Sequence, residues 1–172
     1  MRRHPTRNEN GFTMIEVIVS LLLIGIMAVL AGMGLVAITQ GYVFSQQNNE
    51  TSLKAQVALA KMVKEIGSLR IETDTITATT ATSISYTYTD IVTETTASHT
   101  IAQPVGQAQI QFDGITLVDN VNSFTFTYFD AAGAVTTTLA DIRRVDIALS
   151  MQGAEGIISN FADSAKIQES YY

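Results

Sequence analysis

The sequence predicts an α+β protein in which one long N-terminal helix packs on a C-terminal antiparallel β-sheet. No charged residue lies between Val17 and Asn49, and no proline lies between Pro5 and Pro104, so a long uninterrupted helix can start in an apolar segment. Farther along the helix, apolar residues recur at spacings of three and four. Beyond residue 71 the pattern changes to short alternating runs separated by turn residues, which is typical of strands.

The apolar run from Val17 to Thr39 has 23 uncharged residues. As a helix it measures about 34 Å, enough to cross a hydrocarbon core of about 30 Å, and we predict that it spans a lipid bilayer. Arg2, Arg3 and Arg7 precede it and no basic residue follows before Lys54. The bias of basic residues toward the cytoplasm therefore predicts a cytoplasmic N-terminus, with the rest of the chain outside.

Three explanations fit a basic tail before an apolar run. The first is an ordinary secretory signal peptide, cleaved after the small-residue site Val29-Leu30-Ala31. The second is an uncleaved single-pass anchor. The third explanation must account for Glu16, because placing a carboxylate at the end of an uncharged membrane span costs free energy and requires a partner. No Lys or Arg within one helical turn can supply that partner.

Residues 11–24 read GFTMIEVIVSLLLI. This segment resembles the prepilin cleavage and methylation motif of type IV pilins and type II secretion pseudopilins. The resemblance implies that a prepilin peptidase cuts between Gly11 and Phe12 and N-methylates Phe12. It also implies that Glu16 neutralises the N-terminal ammonium of a neighbouring subunit during assembly. The fold implied is pilin-like, with a transmembrane first half of the helix.

One departure from the family is the absence of a proline in the middle of the helix. The helix instead contains four glycines, each costing about 1 kcal/mol of helix propensity relative to alanine: Gly25, Gly32, Gly34 and Gly41. They either loosen the helix or allow close packing of small residues between helices, and both alternatives remain open.

The second half of the helix, expected to reach Arg70, is amphipathic. The apolar stripe expected to pack on the head consists of Ala55, Ala58, Leu59, Met62, Val63, Ile66 and Leu69. On the other side, Glu50 and Lys54, and likewise Lys61 and Glu65, are opposite charges at i,i+4, and we interpret this side as a solvated helix face.

The head should be β-rich. Residues 71–100 include 12 Thr between Thr73 and Thr100, which indicates irregular strands or a long surface loop, with Ile84 to Thr89 the clearest strand. The dipeptide Asp113-Gly114 predicts a two-residue hairpin turn. Further predicted strands are Gln107 to Phe112, Ile115 to Val118, Val121 to Phe129, Ala134 to Leu139, Arg143 to Met151 and Lys166 to Tyr171.

Two of these strands have a clear inward face. Alternation places Phe124, Phe126 and Tyr128 in the core, and likewise Val145, Ile147 and Leu149. The turn Asp130-Ala131-Ala132-Gly133 follows the first of them. The run Tyr128-Phe129-Asp130, Gly133 and Ile142-Arg143-Arg144-Val145 also resembles minor pseudopilins of the J class and related minor pilins, which implies a minor subunit.

The composition excludes several kinds of chemistry. The 172 residues contain no Cys, so disulfides, thiolate metal sites and cysteine nucleophiles are excluded. The net charge of −6 argues against a nucleic-acid surface, and we predict no direct nucleic-acid partner. His99 beside Ser98 is no catalytic triad, because such groups meet through the fold.

Carboxylates in predicted turns make a calcium site conceivable: Asp113, Asp119, Asp130 and Asp141. However, no EF-hand spacing is present, and Asp is common in turns for backbone reasons. We therefore predict no metal site, no cofactor and no enzymatic activity.

The resemblance predicts a leader at residues 1–11, a transmembrane and filament-core helix at 12–40, an amphipathic half at 41–70 and a β-rich head at 71–172. The function it implies is that of a minor subunit in a type IV pilus or type II secretion pseudopilus. Implied partners are the prepilin peptidase, other pilin or pseudopilin subunits, the inner-membrane assembly platform and the lipid bilayer. The implied location is the bacterial inner membrane, then the filament. The alternative is a periplasmic binding domain, secreted or anchored, with no filament role.

Overall fold

A computed structural model describes residues 11–90 and 92–168 of the chain. Within these residues, one long helix is followed by eight strands and two short 3-10 helices. The helix α1 spans Met14–Gly67. The strands are β1 Thr75–Thr79, β2 Ser83–Thr89, β3 Thr96–Ala102, β4 Gln109–Phe112, β5 Ile115–Asp119, β6 Val121–Phe129, β7 Arg144–Gln152 and β8 Ile158–Lys166, and the 3-10 helices are Leu139–Asp141 and Ala154–Gly156.

The chain divides into two compact units, one ending at Ser45 and the other starting at Gln46. In the first unit, every residue from Gly11 to Val43 is exposed, although most are apolar. Among the described helices, α1 is the one long and apolar enough to span a membrane. A helix that is apolar all round is stable in lipid or among other apolar helices, which suggests membrane anchoring.

In the second unit, the amphipathic part of α1 packs on the sheets. The helix residues buried there are Ala55, Ala58, Leu59, Met62 and Ile66, and Val63 packs against the same core. The predicted stripe is thus confirmed. Leu69 is also buried but lies beyond the helix, which ends at Gly67 instead of the expected Arg70. The chain leaves the helix there because glycine is a poor helix former and the Asp74 carboxylate accepts the Arg70 amide at 2.8 Å.

The strands form two antiparallel sheets, one with the order β1-β2-β3-β4-β5 and one with the order β6-β7-β8. The predicted pilin-like α+β class is therefore confirmed, with two sheets in place of one. The aromatic face of β6 is buried as predicted, and the rings of Phe124 and Phe126 meet edge to face at 4.7 Å. The inward face of β7 is also confirmed, since Val145, Ile147 and Leu149 are buried.

The turn chemistry was predicted correctly at two places. Asp113 and Gly114 both have positive φ, 51° and 79°, as a two-residue hairpin of the primed type requires. At the second turn, the Asp130 Oδ1 atom accepts the amides of Ala132 and Ala134 at 2.9 Å each. Gly133 there has a φ of 81°.

One predicted strand is wrong: from Ala134 to Leu139 the structure has only an isolated bridge between Val135 and Phe129, followed by a 3-10 helix. Of the strand predicted from Lys166 to Tyr171, residues 169–171 lie outside the described residues, and the last described strand is β8, Ile158–Lys166. This strand is held by an unbroken nine-residue ladder with β7, while its own polar sequence gives little alternation.

The Thr-rich segment contains more regular structure than expected. The strand predicted from Ile84 to Thr89 is confirmed as β2, but β1 and β3 flank it as antiparallel neighbours. Threonine favours extended backbone, and cross-strand Thr and Ser hydroxyls add contacts, such as Ser85 Oγ to Thr100 Oγ1 at 3.0 Å.

Neither i,i+4 pair of opposite charges on α1 forms a contact among the described residues. The Lys54 ammonium contacts the Asp119 carboxylate at 2.9 Å, and the Lys61 ammonium lies 4.6 Å from the centre of the Phe112 ring. The β4–β5 hairpin brings both partners to the flank of the helix. The hydrogen bond from Lys54 lowers the pKa of Asp119.

Candidate processing and assembly site

The residues that sequence analysis assigns to processing lie immediately before and within the first turn of α1. Gly11, Phe12 and Thr13 are outside the helix, and the Phe12 side chain is 80% exposed. A peptide bond in such a segment is accessible, whereas bonds inside the helix are held by backbone hydrogen bonds. The Gly11–Phe12 bond thus lies outside the helix, in an exposed segment.

Thr13 starts the helix as its N-cap. Its carbonyl accepts the amides of Glu16 at 3.1 Å and Val17 at 3.3 Å, and its hydroxyl oxygen lies 3.4 Å from the Glu16 nitrogen. Thr followed three residues later by Glu is the pattern of a capping box, which marks the N-terminal start of a helix. The same sequence that resembles the cleavage motif therefore also separates the Gly11–Phe12 bond from the helix.

Glu16 lies in the first turn of α1. A carboxylate at this end of a helix is favoured by the helix dipole, which compensates part of the cost of a charge in an apolar region. Its backbone carbonyl accepts the Ser20 hydroxyl at 2.7 Å. In the described part of the chain, the Glu16 carboxylate has no hydrogen-bond or ion-pair partner, so it is available to a group from another molecule.

Residues 1–10, which belong to the predicted leader and include Arg2, Arg3 and Arg7, lie outside the described residues. Of the three predicted site residues, Gly11 and Phe12 are consecutive in the chain, and Glu16 lies about one helical turn further on, in the first turn of α1.

In the head, the turn carboxylates serve neighbours within the fold. Asp113 contacts His99, Asp119 contacts Lys54, and Asp130 caps its own turn. Within the described residues, no three His, Asp or Glu side chains are grouped so that they could hold a metal ion.

Sequence analysis missed a cluster of aromatic and titratable groups around His99 on β3. The His99 Nδ1 atom lies 2.7 Å from Asp113 Oδ2, and the His99 ring stacks on Phe112 at 5.4 Å and faces Tyr86 at 5.8 Å. The cluster joins β2, β3 and the β4–β5 turn. No local signal marks it, because its members are separated by up to 27 positions in sequence.

Asp113 holds β3 to the hairpin through both carboxylate oxygens. Besides the contact with His99, its Oδ1 atom accepts the Thr100 amide at 2.7 Å. Partial burial raises the pKa of Asp113, but the hydrogen bonds from His99 and Thr100 and the charges of His99 and Lys61 together hold it below the usual value. These two contacts of Asp113, which we call the Asp113 clamp, matter because β3 and β4 share only two paired positions.

Asp113→Asn should reduce the loss of stability in acid. The pKa of Asp113 is lower in the folded chain than in the unfolded chain. Its ionised carboxylate therefore stabilises the fold fully above the unfolded pKa of about 3.9, and this stabilisation is lost as the pH falls through the folded pKa. In urea unfolding, Asp113→Asn should have a lower free energy of unfolding than the wild type at pH 7. It should also lose less of that free energy than the wild type between pH 7 and pH 3. Asp141→Asn, at an exposed carboxylate, is the control. Equal acid sensitivity of Asp113→Asn and the wild type would contradict the clamp.

Comparison with known proteins agrees with the geometry at the start of the helix. Residues 6–32 match the family model of the prokaryotic N-terminal methylation motif. The match includes Gly11, Phe12 and Glu16 and leaves the head outside it. No curated protein and no solved structure matches the chain.

The matched motif and the long helix packed on antiparallel sheets are consistent with the class of type IV pilins and pseudopilins. The chain carries the processing motif of type IV pilins and pseudopilins, a family of structural proteins, and this supports a pilin- or pseudopilin-type processed subunit. The motif implies processing by a prepilin peptidase and assembly with other pilin subunits.

Proposed function

We propose that the protein is a minor subunit of a type IV pilus or a type II secretion pseudopilus. The observation that carries the proposal is the coincidence of the matched motif with the start of α1: a Gly11–Phe12 bond outside the helix, a helix that begins at Met14, and a Glu16 carboxylate that has no partner among the described residues. The resemblance of residues 128–145 to J-class minor pseudopilins and the lack of Cys support a minor role.

Processing is the first step. The prepilin peptidase removes residues 1–11 and N-methylates Phe12, leaving a chain of 161 residues with a formal charge of −8. Residues 12–40 hold the subunit in the inner membrane, with the N-terminus in the cytoplasm. Residues 41–70 include the amphipathic half of the helix, which ends at Gly67, and the head at 71–172 lies outside.

Glu16 acts in assembly. An isolated carboxylate in an apolar region costs about 2.5–3.5 kcal/mol at the centre of a bilayer and less near its surface. The N-terminal ammonium of a neighbouring Phe12 is also costly when isolated, and methylation preserves its positive charge. Pairing the two makes both tolerable, and such a pair fixes register more than it adds net stability.

The apolar surface of α1 then becomes the filament core. The exposed residues from Val17 to Thr39 leave lipid and pack among the same helices of neighbouring subunits. Gly25, Gly32, Gly34 and Gly41 have no heavy atom within 4 Å of an added Cβ, so they are open to close approach by other helices. The assembly platform of the inner membrane supplies the site of this exchange.

The mature N-terminus tests the proposal. We expect intact mass and N-terminal fragmentation of the membrane-extracted protein to show a chain starting at N-methylated Phe12. The Gly11→Leu variant should retain the leader, because the peptidase acts at Gly11. A chain starting at Gly32, with 141 residues, would instead mean ordinary secretion, and an uncleaved chain would mean a simple anchor. Either result would favour a periplasmic binding domain without a filament role.

A further inference from the structure

The open edge of the three-stranded sheet is the feature of the head that the proposed function leaves unused. Within the described residues, β8 pairs with β7 on one side and has no strand beside it along Ile158–Lys166 on the other. An open strand edge presents unpaired backbone N–H and C=O groups, and proteins usually shorten, bulge or cover such edges.

The other three edge strands show those protections. β1 has five residues and a bulge between Ile76 and Ala78, and β5 has five residues and a bulge at Leu117. The outer side of β6 is covered by the β1–β2 turn, because the Phe126 amide donates to the Ala81 carbonyl at 2.7 Å. By contrast, β8 has nine residues in unbroken register, with Asp163 as its one acid and Lys166 as its one base.

The hydrogen bonds around β8 show which backbone groups face outward. The Ile167 amide donates toward β7, to the Arg143 carbonyl at 2.9 Å, whereas the next amide, Gln168, donates the other way, to Leu69 at 2.9 Å. Amides alternate along a strand, so the even-numbered residues from Ile158 to Ser164 direct their N–H and C=O groups outward. In agreement, the Ser164 amide donates to the side chain of the preceding residue, the Asp163 Oδ1 atom, at 2.8 Å.

The edge already accepts a neighbouring segment at one end. Arg70 and Gln168 form a parallel bridge, and the Ile71 amide donates to the Gln168 carbonyl at 3.3 Å. At the other end, the 3-10 helix Ala154–Gly156 turns the chain away from the strand direction before Ile158. The free edge therefore has a defined length, set by these two segments, and it fits one added strand of about seven to nine residues.

We propose that this edge binds β8 of a second copy of the chain, in antiparallel orientation and with Phe161 opposite Phe161. The pairing is symmetric, and it joins the two sheets into one of six strands. In this register Asn160 lies opposite Ala162 of the second copy, and Ile158 lies opposite Ser164. These are the even-numbered residues whose backbone groups face outward.

Side-chain chemistry selects this register. Phe161 is half-buried beside Leu149, and a second Phe161 directly opposite covers its remaining exposed surface. Asp163 lies opposite Ser159 of the second copy. When the Ser164 amide pairs with the second copy, the Asp163 carboxylate is released from that amide and can accept a hydrogen bond from the Ser159 hydroxyl. A register displaced to put Asp163 opposite Asp163 brings two carboxylates together, which is unfavourable. The proposal concerns the head alone and does not depend on removal of the leader or on Glu16.

Single cysteines test the pairing without background, because the natural chain has none. In the full chain in detergent micelles, mild oxidation should convert most Phe161→Cys protein to a disulfide-linked dimer. Adding Asn160→Pro should reduce that dimer at least tenfold, since proline there removes an outward N–H and no bond to β7. Thr125→Cys, exposed on β6, is the matched control and should remain monomeric.

A second pair of variants tests the register and leaves Phe161 in place. A mixture of Ile158→Cys and Ser164→Cys chains should form mixed dimers in at least fivefold excess over either chain oxidised alone. Mixed dimers in that excess support the proposal even if Phe161→Cys folds poorly. The proposal is overturned if the mixture cross-links no better than its components, or if Phe161→Cys stays monomeric while a maleimide labels its thiol.

Discussion

Glu16→Ala should leave the subunit in the membrane and remove it from filaments. The substitution makes the membrane span more apolar, so insertion is retained. It also removes the only charge in the span that can pair with a neighbouring N-terminus, leaving that ammonium unpaired in an apolar environment. We expect recovery of the variant in sheared or affinity-purified filaments to fall at least tenfold, with unchanged amounts in the membrane fraction.

Glu50→Ala is the control for this experiment. Glu50 lies on the same helix and is exposed, and its carboxylate contacts only Gln46 among the described residues, at 3.2 Å. Its removal should not change recovery in filaments. Because the Glu16 carboxylate has no partner in the described part of the chain, an effect of its replacement on the fold of the head is not expected. Wild-type recovery of Glu16→Ala in filaments would disprove the proposed pairing.

Phe126→Ala should be among the most destabilising substitutions in the head. The side chain is 3% exposed, and its ring packs at 4.7 Å from that of Phe124 and 6.1 Å from that of Tyr128. Removing a buried Phe ring loses its transfer free energy and leaves a cavity, at a cost of about 3–5 kcal/mol. Urea unfolding followed by tyrosine fluorescence measures this loss, since the chain has no Trp.

The neighbouring Thr125→Ala provides the comparison. Thr125 is exposed on the opposite face of β6, and its replacement should change the free energy of unfolding by about 0.5 kcal/mol or less. A cost for Phe126→Ala no greater than that for Thr125→Ala would mean that the aromatic face of β6 is not the core of the head.

The N-terminal part of the chain could be predicted from sequence because its signals are local. Thr13 and Glu16 define the start of the helix within one turn, and the absence of charge and proline predicts its continuation. The buried stripe from Ala55 to Ile66 follows from the helical period alone. The same short-range reasoning identified the turn at Asp113-Gly114 and the inward face of β6.

The errors occurred where a distant partner decides the conformation. β8 is a strand because β7 pairs with all nine of its residues, and its own sequence shows little alternation. Residues 134–139 alternate in part but form only one β-bridge, between Val135 and Phe129. Likewise, Lys54 has a charged neighbour one helical turn away, yet it contacts Asp119, because the hairpin presents a carboxylate at 2.9 Å.

The sequence by itself indicated the methylation motif, the long helix and its buried stripe, and it supports the predicted roles of Gly11, Phe12 and Glu16, since these depend on neighbours a few positions apart. Only the tertiary structure decided the division into two sheets, the cluster of His99 with Asp113, and which strand edge remains open. Those features depend on contacts between residues far apart in the chain, and the free energy of such contacts is set by the whole fold and leaves no mark in a short segment.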